Sequence, residues 1–152
     1  RKETLQGFVH DEASAFFGGL AGNAGLFSTA RDVARVYQML LNGGEIDGQR
    51  YLSKETCQLF TTETSKISRR GLGFDKPDAD DPKKGNCAPA APAEVYGHTG
   101  FTGTCAWVDP MNELVYVFLS NRIYPDVTNR KLNQLHIRER IQGAIYDAMK
   151  KK

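Results

Sequence analysis

Residues 104–120 read TCAWVDPMNELVYVFLS. Two apolar runs flank Asp109-Pro110-Met111-Asn112, and Pro is favoured at the second position of a type I turn, with Asp favoured at the first. A connection this short joins antiparallel neighbours, because a parallel pair needs a crossover of a dozen or more residues. The segment therefore predicts a hairpin, with Thr104–Val108 as one strand and Glu113–Ser120 as the other. LVYVFL is almost wholly apolar, so the second strand is expected to be buried on both faces.

Helical periodicity brackets this sheet. Val33, Val36, Tyr37, Leu40 and Leu41 repeat at helical spacing. Ser28 or Thr29 can cap the start, and Thr29 with Asp32 three residues on resembles a capping box. Asn42-Gly43-Gly44 supplies the stop, since glycine accepts the left-handed conformation of a helix end. A shorter helix is expected from Ser53 as cap to about Phe60, and a last one over roughly 130–149. In the last one Ile137, Ile141, Ile145 and Met149 form a stripe that should dock on the sheet. Gly71-Leu72-Gly73-Phe74 reads as a short strand. Residues 75–95, rich in Pro, Asp and Lys, read as a surface loop. Its Asp75, Asp78, Asp80 and Asp81 could attract a cation, although solvation explains them more simply. Glycines at 18, 19, 22 and 25 imply tight turns without a dinucleotide or Walker fingerprint.

Composition narrows the function. A net charge of +2, with Lys150-Lys151-Lys152 as the longest basic run, gives no basic stripe with interleaved aromatics, so nucleic acid is not an expected partner. The longest apolar run is far short of the ~18–20 residues of a membrane helix. The chain begins at Arg1 rather than Met, and its true start is expected upstream. Cys57, Cys87 and Cys105 are an odd set without a CxxC and read as structural thiols. His10-Asp11-Glu12 and His136-x-x-Glu139 also hint at a metal site, but three scattered histidines seldom make one; no metal or other cofactor is expected. Trp107 reads as core.

The stretch YGHTGFTGT, residues 96–104, heads the hairpin with three glycines and three threonines. His98 can supply positive charge or a donor. The Thr99 hydroxyl can bind a carboxylate or relay a proton. Gly100 admits close approach of a ligand, and the N–H of Phe101 can donate to an oxyanion. Taken alone, the tripeptide reads more simply as a glycine-rich strand entry.

Its setting changes that reading. AGLFSTARDVARVYQMLLNGG, RRGLGFD and YGHTGFTGTCAWVDPMNELVYVFLSNR follow one another in the order found in the C-terminal part of the serine beta-lactamase and penicillin-binding superfamily, which the chain resembles over nearly its whole length. The likeness is strongest to class C-type serine hydrolases and esterases. Within these it is closest, through VHDEASAFFGGLAG, RRGLGFDKP and YGHTGFTGT, to the beta-lactamase-like module fused behind a family 3 glycoside hydrolase (a beta-N-acetylglucosaminidase) in Bacteroidetes-type bacteria. Asn23 departs from the pattern, which has His there.

The resemblance implies an α+β fold, part of a helix–sheet–helix sandwich, with residues 1–152 as the C-terminal portion of one domain. An antiparallel sheet of about three strands would be joined by the C-terminal helix and part of the helical region. It implies acyl-serine hydrolysis of an ester or amide, plausible on cell-wall peptides, beta-lactams or small esters, and an extracytoplasmic setting. His98 and Thr99 would be catalytic, and Gly100 and Phe101 would form the substrate-binding and oxyanion wall. The family's S-x-x-K is absent, since no serine here has Lys at +3. Tyr51-Leu52-Ser53 matches Y-x-S by letter only, as Ser53 reads as a helix cap. The nucleophile is thus expected before Arg1, in a missing N-terminal half, and this chain alone is expected to be inert. The strand 113–120 would be left with an open edge, which invites a homodimer. Two other readings compete. One is a non-catalytic peptidoglycan-binding or accessory module of a cell-wall glycosidase, and the other is metal-dependent hydrolysis through His10, Asp11 and Glu12.

Overall fold

A computed structural model describes residues 4–62, 67–81 and 84–150. Short α1 (Glu12–Phe16) leads into a glycine-rich turn and then α2 (Ala30–Leu41). A small hairpin of β1 (Glu45–Ile46) and β2 (Gln49–Arg50) precedes α3 (Lys54–Thr61). The main sheet is β3 (Tyr96–Thr99), β4 (Cys105–Asp109) and β5 (Leu114–Phe118), antiparallel in the order β3-β4-β5. α4 (Lys131–Gln134) and α5 (Ile137–Met149) close the chain.

The caps form where the side chains demand them. The Thr29 hydroxyl accepts the Asp32 N–H at 3.2 Å, and that of Ser53 accepts the Thr56 N–H at 3.1 Å. The Ser53 cap removes the apparent Y-x-S motif from consideration as a site. Between β1 and β2, Asp47 and Gly48 both have positive φ, the conformation that a two-residue hairpin turn requires. In the β4–β5 turn, Asp109 Oδ1 accepts the N–H groups of Met111 and Asn112 at 2.9 and 3.2 Å, so the predicted hairpin is locked by its own aspartate.

Register sorts the sheet into two faces. Gly97, Trp107 and Tyr116 align, as do Thr99, Cys105 and Phe118, while Tyr96 and His98 pair with Val108 and Ala106. Cross-strand partners share a face. The first face packs Trp107, Cys105 and Tyr116 with Cys87, Val95 and Ile145 of α5. On the second, the rings of Tyr37, Phe74 and Tyr96 run edge to face from α2 to β3, with centroids 6.3 and 5.4 Å apart. The sheet thus lies between α5 and α2, the expected helix–sheet–helix arrangement. The three cysteines are free and buried, and burial pushes the thiols of Cys87 and Cys105 up to about 12 and about 11, so both behave as inert packing groups.

Five expectations are corrected. Residues 71–74 form no strand: the Gly71 N–H donates to the Phe74 carbonyl at 3.0 Å, making a turn, and only Asp75 reaches the sheet, as a bridge to Gly97. The 75–95 segment has no helix or strand among its described residues, but it is not simply surface. Asp75, Lys76, Cys87, Ala88 and Val95 are buried. The final helix is interrupted at His136 (φ 48°), which separates α4 from α5. Its isoleucine stripe docks only in part, through Ile145. Ile141 and Met149 are exposed, whereas Arg138, Gln142 and Tyr146 are buried. Each of these meets a polar partner. Gln142 Oε1 accepts the Ala88 N–H at 2.7 Å, Tyr146 donates to Asp109 Oδ2 at 2.9 Å, and the Arg138 carbonyl accepts from Tyr116 at 3.1 Å. Finally, β5 is half-buried rather than buried on both faces, because it is an edge strand among the described residues.

Asp75 is the polar anchor of this arrangement. Only 1% exposed, it takes Arg69 Nε and Nη2 at 2.8 and 3.1 Å and Asn86 Nδ2 at 2.8 Å. Desolvation alone would raise its carboxyl, but the hydrogen bonds from Arg69 and Asn86 more than offset it and hold the group below the ordinary 3.8. A carboxyl depressed on folding stabilises above its unfolded value and loses that contribution as pH falls through the folded one. Asp75→Asn is therefore expected to cost about 2 kcal/mol at pH 7, the scale of hydrogen bonds to a charged group. Urea titrations taken down to pH 3 should show the gap from wild type closing as the pH drops; an equal gap at both ends would remove Asp75 as an ionic anchor.

Candidate active site

β3 carries the site because its backbone alternates. Gly97 exchanges both hydrogen bonds with Asp75, donating at 3.0 Å and accepting at 2.7 Å. Its amide and carbonyl thus face the outer edge of the sheet. Alternation turns those of Thr99, the last residue of β3, the same way, while the Gly100 N–H points inward to the Thr104 carbonyl at 2.8 Å; Phe101 lies in the turn that follows. Asp75 covers the edge only at Gly97, so beyond it the edge is open among the described residues. The Phe101 N–H has no hydrogen-bond partner among them.

Glycine is required at two points here. A Cβ on Gly97 would lie 2.1 Å from the Ala106 carbonyl oxygen and 2.7 Å from the Trp107 ring. Gly103, at φ 107°, reverses the chain between β3 and β4, and its N–H donates to the Gly100 carbonyl at 3.0 Å.

The four predicted residues lie together along this edge, but their side chains do not all converge. His98 is exposed and lies on the α2 face, whereas Thr99, half-buried, lies on the α5 face. The Thr99 hydroxyl makes no hydrogen bond to a described residue, which leaves it available to a ligand. Both nitrogens of His98 are engaged: Arg70 Nη1 donates to Nε2 at 2.7 Å, and Nδ1 lies 2.6 Å from the Thr99 carbonyl. The Phe101 ring, 64% exposed, is held between His10, stacked at 5.7 Å, and the Arg122 guanidinium, 4.7 Å from the ring centre.

Three residues at this wall carried no sequence signal as site residues. Arg70 and Arg122 lie just outside the predicted strand and hairpin, and His10 reads only as a metal candidate. Arg122 fixes the loop after Gly100. Its backbone N–H donates to Thr102, its Nε donates to the Phe101 carbonyl, both at 2.9 Å, and its Nη1 reaches the carbonyls of Val127 and Asn129 at 3.3 and 3.2 Å. A surface hollow of about 620 Å³ lies beside Arg70, between Ser68–Arg70 and Asp78–Asp80.

The metal candidates are otherwise employed. Asp11 caps α1 by accepting the Ser14 N–H at 2.8 Å, a bond that chiefly holds its carboxyl below the usual range. Asn23, the departure from the family pattern, accepts from the buried Ser14 hydroxyl at 3.1 Å and donates to Asp11 at 3.2 Å. It thereby ties the glycine-rich turn to α1. In the acidic loop Asp75 is taken by Arg69 and Asn86, and Asp78 accepts the N–H groups of Asp80 and Asp81. Among the described residues no three His, Cys, Asp or Glu side chains are grouped to hold a metal ion, and no helix is long and apolar enough to cross a membrane.

An antiparallel sheet between helices, with an open strand edge carrying His-Thr-Gly, is the arrangement expected of part of a beta-lactamase-like sandwich. Comparison with known proteins agrees. The Beta-lactamase family model matches residues 3–139, and the chain belongs to that family. It is 37% identical over 134 residues to the protein of Escherichia coli (strain K12) named "Putative D-alanyl-D-alanine carboxypeptidase", and to the same-named protein of Salmonella typhi. In each case the match covers 88% of this chain and 31% of the relative, so the chain spans less than a third of the length of these relatives.

Arg122→Ala should loosen the loop that presents the Phe101 amide. Hydrogen exchange at the Gly100 and Gly103 amides is expected to speed up about tenfold, the equivalent of roughly 1.4 kcal/mol of local stability, with β4 amides unchanged. Unchanged exchange at both glycines would show that Arg122 does not order the loop.

Proposed function

We propose that this chain provides the substrate-strand wall of an acyl-serine hydrolase. The observation that carries the reading is the unpartnered Phe101 N–H in the turn at the end of the open-edged strand β3, directly after His98-Thr99-Gly100, in a member of the Beta-lactamase family. A donor fixed before reaction is what a developing oxyanion needs. Gly100 permits the approach, the Thr99 hydroxyl offers a contact for a carboxylate or relays a proton, and His98 with Arg70 makes the strand end cationic. The nucleophile and its base would come from an S-x-x-K outside these 152 residues, which contain none.

The relatives' names favour wall peptides ending in D-alanyl-D-alanine as the substrate class, with beta-lactams as analogues. The likeness to modules that follow family 3 glycoside hydrolases fits a cell-wall role outside the cytoplasm. Labelling separates this reading from its rivals. A fluorescent penicillin or a fluorophosphonate is expected to mark a full-length protein on the serine of an S-x-x-K, and to leave the 152-residue chain unmarked. A stoichiometric acyl adduct on this chain, found by mass spectrometry, would overturn the division of labour. Measurable affinity of the chain alone for a wall peptide, with no labelling of the full-length protein, would favour an accessory binding module.

The outer edge of β5 bears on assembly. An apolar edge strand seeks a partner, either another strand of the domain or a second copy. On this reading the isolated chain dimerises through residues 113–120. Sedimentation equilibrium should show that dimer, and a monomer whose Leu114–Phe118 amides exchange freely would exclude it.

A further inference from the structure

Arg70 contacts a second basic side chain, and the chemistry of the two groups fixes what that contact means. A guanidinium has only N–H donors and no acceptor. The 2.7 Å contact from Arg70 Nη1 to His98 Nε2 therefore needs a lone pair on Nε2. The proton of the neutral ring must then sit on Nδ1, and Nδ1 lies 2.6 Å from the Thr99 carbonyl, an acceptor that matches it. The two contacts are mutually consistent for one tautomer alone. A second ring proton would have to occupy the site that the guanidinium already fills.

We propose that Arg70 is the positioning residue of the His-Thr-Gly strand: it holds His98 as the Nδ1–H tautomer and itself supplies the positive charge of the wall. The charge is then permanent, because a guanidinium stays protonated throughout the working range, unlike an imidazole. His98 works as a neutral connector. Its ring transmits the pull of Arg70 to the Thr99 carbonyl, on the strand edge that presents the Phe101 amide. The geometry of Arg70 follows from its neighbour. Arg69 is bound to buried Asp75, which is bridged to Gly97 of the same strand. The Arg69–Asp75 pair thereby brings the adjacent residue to His98.

The tautomer stands on the geometry alone; its effect on catalysis rests on the reading above. Nitrogen-15 NMR of histidine-labelled protein separates the two, with the His98 signal assigned through His98→Asn. The wild type is expected to show Nδ1 protonated and Nε2 bare. Arg70→Met, similar in reach but without donors, leaves only the Thr99 carbonyl to hold the tautomer and should shift part of the ring population to Nε2–H, and Arg70→Lys should restore Nδ1–H. An Nε2–H ring in the wild type, or an Nδ1–H population unchanged in Arg70→Met, would overturn the proposal. Where full-length protein hydrolyses an ester or a beta-lactam, Arg70→Met should lower kcat/KM about tenfold and Arg70→Lys should recover most of it. A tautomer that switches with no change in kcat/KM would confine Arg70 to structure and refute its catalytic positioning. Absence of any hydrolysis by wild-type protein would count against the proposed function while leaving the tautomer result in force.

Discussion

Gly97 is gripped from both sides. On its outer flank it exchanges two hydrogen bonds with Asp75, and on its inner flank it lies against Trp107 and the Ala106 carbonyl with no room for a methyl group. That grip fixes the register and phase of β3, and a strand shifted by one residue would send each side chain to the opposite face. With Gly97 facing outward, the amide and carbonyl of Thr99 face outward too, toward the open edge. With Trp107 buried beneath it, the neighbouring core of Cys87, Val95, Cys105 and Tyr116 closes without a gap. The site and the core thus share one steric constraint.

The segment before β3 serves the same strand electrostatically. Arg69 and Arg70 are adjacent, yet their charges go to different places. Arg69 neutralises Asp75 within the structure, and Arg70 reaches the exposed end of β3. A buried carboxylate without Arg69 would be costly, and a strand end without Arg70 would lack its fixed cation. Lys76 follows, with its ammonium against the carbonyls of Thr61, Glu94 and Val95. A run that reads as a solvated acidic loop is therefore partly internal, because its charges are paired with one another and with backbone rather than with water.

Much of the fold could be read in the sequence because its signals are local. The Thr29 and Ser53 caps, the Asp109-Pro110 turn and the apolar run of β5 each involve residues within a few positions of one another. What escaped was mostly the product of distant pairing. GLGF has the composition of a strand but turns, because only Asp75 meets an acceptor and donor on β3. The isoleucine stripe of α5 has the right period, but Gln142 and Tyr146 satisfy backbone and side-chain groups of remote segments and so claim the buried face. The small β1–β2 hairpin was missed despite its Asp47-Gly48 signal, a known turn dipeptide. For the site, His98 to Phe101 stood out by motif. Arg70, 28 residues before His98, and Arg122, 21 after Phe101, could not, since nothing in either neighbourhood states which strand end it will reach.

The amide and the two guanidinium groups of the wall are one-sided in their chemistry, and that limits what they can do. The Phe101 amide and the guanidinium groups of Arg70 and Arg122 are donors, suited to an anionic ligand or a developing oxyanion. Activating a serine hydroxyl needs the opposite, a lone pair ready to take a proton. The imidazole lone pair at the strand end is occupied by Arg70, and the Thr99 carbonyl accepts from the same ring. A base drawn from this strand would first have to break the contact that orders it. On the proposed function, the β3 edge is suited to binding and charge stabilisation, and proton abstraction falls to another part of the domain.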